Sequence, residues 1–194
     1  MVSVVMRILN VAFLLTFLSL NAALAMDYAG ILTQSEHQAL RLKDDNSGKV
    51  FELTFEDKNV EALFHKLKSK DYVSFSGARS ATVSSIRVDS INFVGLNDLL
   101  SVWKGDDRYC YAFLNFTEFV IYPIKSSACG KPPKSAKTYA YTINPTEFNN
   151  WVILLSNEQA NYAADLALKS STSVEISLYD SNTGYILKVI KLRK

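Results

Sequence analysis

The stretch Val50-FELTFEDKNVEALFHKLKSKDYVSFS-Gly77 decides the fold. Its first six residues alternate, with Phe51, Leu53 and Phe55 on one side and Glu52 and Thr54 on the other, the period of a half-buried strand. The period then changes. Val60, Leu63, Phe64 and Leu67 fall at i, i+3, i+4 and i+7, which predicts an amphipathic helix. Asp57 stands before it as an N-cap, its carboxylate placed to accept from the free amides of the first turn. Lys66, Lys68 and Lys70 gather at the far end, where the helix dipole favours cations. Beyond the helix, Val73 and Phe75 alternate with Tyr72, Ser74 and Ser76, so the strand period resumes.

Working outward, Tyr28 to Gln34 reads as a short apolar strand, and Gly30 inside it suggests a bend or bulge. Leu40 and Leu42 alternate with Arg41 and Lys43, and Asp44-Asp-Asn-Ser-Gly48 is a turn cluster. Ile86 and Val88 share one parity while Ile91 and Phe93 share the other, which places a bulge near Asp89 and Ser90. Three strands, a helix and two more strands is the element order of the OB-fold, a five-stranded Greek-key barrel. The segment from Lys70 to Gly77 resembles the fourth-strand entry of small exported OB domains. The resemblance covers Tyr28 to about Gly95 and is architectural, without a diagnostic motif. It implies a ligand face on the second and third strands, where nucleic-acid binders place aromatic rings for bases to stack on. Here that face carries Arg41, Lys43, Glu52 and Thr54, and the aromatics point inward. It reads as a solvated face with cross-strand ion pairs.

In the second half, Asn97 to Trp103 reads as a short helical or turn connector capped by Asn97. Lys104-Gly-Asp-Asp107 follows as a turn and domain boundary. Strand signals then recur over Tyr109–Leu114, Glu118–Tyr122, Thr138–Ile143, Trp151–Leu155, Ala164–Leu168, Val174–Tyr179 and Tyr185–Leu192. Asp180-Ser-Asn-Thr-Gly184 is a hairpin signal between the last two. Short strands at this spacing predict an antiparallel barrel or sandwich. Leu99-Leu-Ser-Val-Trp103 is similar to the strand-opening G-x-W segment of lipocalin-like small barrels, with Ser101 where that pattern has Gly. Trp103 is expected to plug a barrel end or the interdomain seam. The expected fold is therefore mainly β: an OB-like five-stranded barrel with one helix over residues 26–96, then a second small antiparallel β-barrel or sandwich over residues 97–194.

The N-terminus carries Arg7, an apolar run from Ile8 to Leu20, and Asn21-Ala-Ala-Leu-Ala25. A positive start, an apolar core and small residues at Ala23 and Ala25 are the parts of a cleavable secretory signal, with Met26 as the new start. The apolar core of about 13 residues is short of the roughly 20 that span a bilayer. No Cys follows the cleavage site to take a lipid, and no later segment is apolar enough to span. The expected localisation is periplasmic or secreted. The whole chain has 21 basic and 19 acidic residues. Losing Arg7 brings it closer still to neutral, which argues against a nucleic-acid partner.

In an exported chain the two cysteines, Cys110 and Cys129, are expected to pair. Their bridge closes a loop of about 20 residues and contributes roughly 3 kcal/mol on the chain-entropy model. The spacing is far too wide for a CxxC redox pair, and two histidines, His37 and His65, are too few to complete a zinc site. Between the cysteines and just after them runs an unusual loop with Lys125, Cys129, Lys131, Pro132, Pro133, Lys134 and Lys137, and no acid. A stiff, basic, exposed loop is suited to a protein partner or an anionic surface. It is also the composition of a crossover kept soluble by lysines.

Catalytic signatures are missing: there is no G-x-S-x-G, H-E-x-x-H, P-loop or G-x-G-x-x-G. His65 falls on the polar side of its helix and His37 in the polar run Ser35–Gln38. Adjacent carboxylates, Asp44 with Asp45 and Asp106 with Asp107, more often cap turns than share a substrate. The Asp44–Gly48 turn lacks the length and the terminal Glu of a calcium loop. Asn115-Phe-Thr117 is a glycosylation acceptor in a eukaryotic secretory pathway only. No metal and no cofactor is expected. The function expected is a non-enzymatic exported module that binds a protein, peptide or glycan. One version inhibits a hydrolase through the Cys129–Lys137 loop; the competing reading is an enzyme whose carboxylates only the fold brings together.

Overall fold

The computed structural model describes residues 25–34, 39–125, 128–146, 150–180 and 183–194. The expected secretory signal, up to residue 24, and His37 lie outside the described residues. The strands are β1 (Met26–Gln34), β2 (Leu40–Asp44), β3 (Val50–Phe55), β4 (Tyr72–Arg79), β5 (Ser85–Gly95), β6 (Val102–Gly105), β7 (Tyr109–Phe113), β8 (Glu118–Pro123), β9 (Lys137–Pro145), β10 (Trp151–Ser156), β11 (Asn161–Ser170), β12 (Ser173–Tyr179) and β13 (Ile186–Arg193). One helix, α1 (Lys58–Phe64), lies between β3 and β4, and a 3-10 turn (Asn97–Leu99) precedes β6.

The first five strands close a ring. β1 pairs with β2 and β4, β2 with β3, β3 in parallel with β5, and β5 with β4. The alternation read from the sequence sets this up: Leu40, Leu42, Phe51, Leu53, Val73, Phe75, Ile86 and Val88 are buried in its core, while Arg41, Lys43, Glu52 and Thr54 are exposed. β5 makes two register shifts against β4: the first causes the parity change expected near Asp89, and the second reverses it, so Phe93 lies on the opposite face from Ile91. Ser76 faces Ser90 but Gly77 faces Val88, so Asp89 is an extra residue; Asn92 is extra in the same way. Gly30 sits in an unshifted register, so it makes no bulge. A Cβ there would lie 2.0 Å from the Lys43 carbonyl oxygen, and glycine is needed for that close approach.

The second half is an eight-stranded antiparallel up-and-down barrel. Each strand from β6 to β13 pairs with the next, and β13 returns to β6 at Leu192–Gly105 and Arg193–Lys104. Of the two architectures open at the sequence level, the barrel is the one formed. Its interior is filled by Trp103, Tyr111, Phe113, Phe119, Tyr139, Tyr141, Trp151, Ile153, Leu166 and Ile176, as expected for eight strands. Val102–Gly105 differs from the sequence reading: Lys104 and Gly105 end a strand, and the turn begins at Asp106. The basic loop joins β8 to β9, well inside the barrel order.

The two barrels share one continuous apolar core. β5 touches β9 through Val94 and Ile143, Tyr72 stacks on Phe116 with ring centroids 5.7 Å apart, and Lys66 donates to the Thr146 carbonyl oxygen at 3.3 Å. The expected N-cap is present: Asp57 accepts from Asn59 N–H at 2.7 Å. The helix is shorter than its apolar period, since His65 is its C-cap and Leu67 is buried in the turn beyond. The lysines therefore lie outside the last helical turn; Lys68 pairs instead with Asp98 at 2.6 Å. Asn97 is the first residue of the 3-10 turn, which Leu96 precedes as cap.

In the turn beyond the helix lies Asp71, a buried carboxylate. Its Oδ2 accepts from Lys68 N–H and its Oδ1 from Asn97 N–H, both at 2.7 Å. Asp71→Asn offers one acceptor oxygen where two are used and turns a donor onto a buried N–H. It is expected to lower stability by about 1–3 kcal/mol, read as a shift in the urea midpoint. An unchanged midpoint would show that this joint carries no stability.

Candidate functional site

Three constellations stand out. The first is the stapled loop. Cys110 and Cys129 form a disulfide with Cα atoms 5.8 Å apart. Cys110 lies on the outer face of the barrel, because its neighbours Tyr111 and Trp103 fill the interior. With Ala112, Val120 and Tyr122 it makes a second, smaller apolar cluster, covered by Ile124, Cys129 and Ala136. Tyr122 donates its hydroxyl to the Gly130 carbonyl oxygen at 2.5 Å, and Ile124 N–H donates to Arg108 O at 3.0 Å. The loop is thus fixed at both ends and in the middle. Pro132 and Pro133 are half-buried, while Lys125, Lys131, Lys134 and Lys137 are exposed. A depression of about 260 Å³ is lined by Tyr122, Lys125, Gly130, Lys131 and Pro133 among others.

Further cations stand beside this loop that sequence reading missed. Along the outer face Tyr122, Cys110, Lys104 and Arg193 are successive cross-strand partners. Lys104, Lys191 and Arg193 are exposed and line a second depression of about 360 Å³ with Gly105 and Asp106. Arg193 and Lys104 are directly opposite each other, an unfavourable pairing in a bare sheet. No sequence signal links them, because the register of the last strand on β6 brings them together.

The second constellation is Trp103, fully buried at the barrel end that meets the connector. Its Nε1–H donates to Leu99 O at 2.8 Å, and Lys194 Nζ lies 4.6 Å from its ring centroid and 3.3 Å from Asp98 O. The 3-10 turn and the C-terminus are thereby tied to one indole.

The third lies at the opposite end. Asp107 Oδ2 accepts from Tyr111 Oη–H at 2.6 Å and from Lys188 Nζ at 2.5 Å, and Oδ1 from Tyr109 N–H at 3.3 Å. Gly105 makes the space: a Cβ there would lie 2.4 Å from Asp107 Oδ1 and 2.6 Å from the Tyr111 ring. Burial pulls the Asp107 carboxyl upward, but the Lys188 ammonium and the Tyr111 hydroxyl outweigh it and hold the group below its ordinary range. Burial and the adjacent carboxylate push the Tyr111 phenol far up, so it keeps its proton. A carboxylate with three donors on it and a phenol that holds its proton form a locked polar cap, poorly suited to general-base chemistry.

Elsewhere the carboxylates serve turns. Asp44 Oδ2 accepts from Ser47 N–H at 2.8 Å and Ser47 Oγ–H at 2.6 Å, while its Oδ1 has no hydrogen-bond partner among the described residues. Asn115 Oδ1 accepts from Thr117 and Glu118 N–H. His65 is exposed, 3.8 Å from Glu61. Among the described residues no group of three His, Cys, Asp or Glu is placed to hold a metal ion, and no helix is long and apolar enough to cross a membrane. Comparison with protein-family models, curated proteins and solved structures finds no match.

The Asp107 geometry sets a pH dependence. A depressed folded pKa means that the stabilisation is complete above the ordinary carboxylate value of about 3.9 and is lost as pH falls through the depressed value. The stability gap between the wild type and Asp107→Asn is therefore expected to close as pH is lowered through the acid range in chemical denaturation. A gap that stays constant from neutral to strongly acid pH would overturn this account.

Proposed function

We propose that the chain is an exported, non-enzymatic binding module that presents the disulfide-stapled loop and its neighbouring cations to an acidic partner surface. The observation that carries the reading is the pinning of the loop: a bridge, a tyrosine hydroxyl and a small apolar cluster hold a backbone whose lysines stay in solvent. A preordered loop loses little conformational entropy on binding, so its contacts are expressed as affinity. The row Arg193, Lys104 and the disulfide extends the cationic surface beyond the loop. The first half, on this reading, is an OB-fold domain over residues 26–96 whose role is structural: its Arg41–Glu52 pair occupies the strand face that OB ligands use. Residues 97–194 form the binding domain. Export follows from the N-terminal signal and suits the paired cysteines.

Two measurements test the reading. Intact mass of the protein made with its own N-terminus in a secreting host is expected to correspond to a chain starting at Met26; an uncleaved product in the cytoplasm would remove the compartment argument. The double variant Lys131→Glu/Lys134→Glu is expected to lose capture of partners from an envelope or extracellular extract by roughly tenfold or more, and wild-type capture to weaken with added salt. Equal capture by both forms would exclude the loop.

A further inference from the structure

The middle of β5 leaves an edge open. On one side β4 pairs with it except at the extra residues Asp89 and Asn92, but on the other β3 reaches only to Val88 and β9 first meets it at Val94. Among the described residues, that second edge has no strand partner from Asp89 to Phe93. The two extra residues, Asp89 and Asn92, fall inside this segment, and bulges bend a strand away from its neighbour. The open edge does not face bulk solvent alone. It forms one wall of a groove whose other walls are Val60 and Leu63 of α1 and Ile143 to Pro145 of β9, a depression of about 210 Å³. A second depression of about 480 Å³ continues it past Ala62 and Lys66 to Thr146, sharing Leu63 and Pro145.

A strand edge beside half-buried apolar side chains is a template for another strand. Val60, Leu63, Ile91 and Phe93 are all half-buried. A row of backbone donors and acceptors selects an extended chain over a compact small molecule. The ends of the groove differ in charge state. Asp89 is paired with Arg87 at 3.0 Å. Lys66 meets the Thr146 carbonyl oxygen and, among the described residues, no carboxylate lies within ion-pair distance of it.

We propose that the groove between α1, β5 and β9 is a strand-addition site for an extended peptide of a partner protein, with alternating apolar side chains and an acidic residue at the Lys66 end. The peptide adds antiparallel or parallel to Asp89–Phe93, sets its apolar side chains on Val60, Leu63 and Ile91, and places its carboxylate on the Lys66 ammonium. About four or five peptide residues span the open edge at roughly 3.3 Å each. The site lies away from the stapled loop, so the two surfaces are independent.

The test uses two blocked hexapeptides that alternate valine and threonine, one with glutamate at its first position and one at its last, and the same pair with lysine instead. Affinity is read by fluorescence anisotropy and location by amide hydrogen exchange. At least one glutamate peptide is expected to bind, to slow exchange at Asp89–Phe93, and to bind about tenfold more tightly than its lysine counterpart. Lys66→Glu is expected to reverse that preference. Ala62→Arg, at an exposed helix position, is expected to abolish binding with the fold intact; Lys66→Gln, losing the preference without reversing it, serves if Lys66→Glu fails to fold. No binding by any peptide at about 1 mM, binding that leaves the exchange of Asp89–Phe93 unchanged, or a charge preference untouched by the Lys66 variants overturns the proposal.

Discussion

The architecture depends on one buried carboxylate. Asp71 is 3% exposed, and its side chain takes one hydrogen bond from the turn after α1 and one from the start of the connector. Its backbone adds a third tie, because its carbonyl oxygen accepts from Leu32 N–H in β1. Burial raises the carboxyl's pKa, against the pull of the two amide N–H groups that favour the charged form. A carboxylate alone among small side chains offers two acceptor oxygens at this distance, which is why neither a hydroxyl nor an amide replaces it here. One residue thus ties the turn after α1 to the start of the connector, where the apolar core runs from one barrel into the other.

The strands were legible because both barrels bury one face of each strand, and one-sided burial writes period two into the sequence. Phe51 with Leu53, Val73 with Phe75, and Val174 with Ile176 are the clear cases. The parity change at Asp89 could be read, but the second bulge could not: the extra Asn92 reverses the exchange and sets Phe93 opposite Ser74, on the other face from Ile91. Nor could β6 be read. It has four residues, of which Trp103 and Gly105 face inward, and a glycine chosen for close approach to Tyr111 looks like a turn residue. The helix end differs from the apolar period as well: Leu67 continues the period, but the Lys66 and Leu67 amides bond only three residues back, to Leu63 and Phe64, and the Lys68 amide goes to the Asp71 carboxylate.

The candidate sites were legible only where they are local. The stapled loop announces itself by two cysteines, two prolines and four lysines in one stretch. The locked Asp107 does not, since its ammonium partner Lys188 is 81 residues away and reaches it only through barrel closure. The pairing of Arg193 with Lys104, and the groove lined by α1, β5 and β9, have the same origin. Each exists because strands remote in sequence are placed side by side, and no local pattern encodes such a contact.

The two barrels also divide the work of excluding water differently. The eight-stranded barrel is filled by rings and aliphatic side chains and is tied at one end by Trp103 with Lys194 and at the other by Asp107 with Tyr111 and Lys188. The outside is where the sequence spends features that a filled barrel does not need: a disulfide over a satellite apolar cluster, and cations set opposite one another. The five-stranded ring departs from regular pairing in one place, the doubly bulged segment of β5, and that place opens toward the helix and the second barrel. A ring built for rigidity alone would have continued β3 along that edge. Leaving it unpaired next to Val60, Leu63 and Lys66 gives up sheet hydrogen bonds, and a fold held together by a common core tolerates that loss.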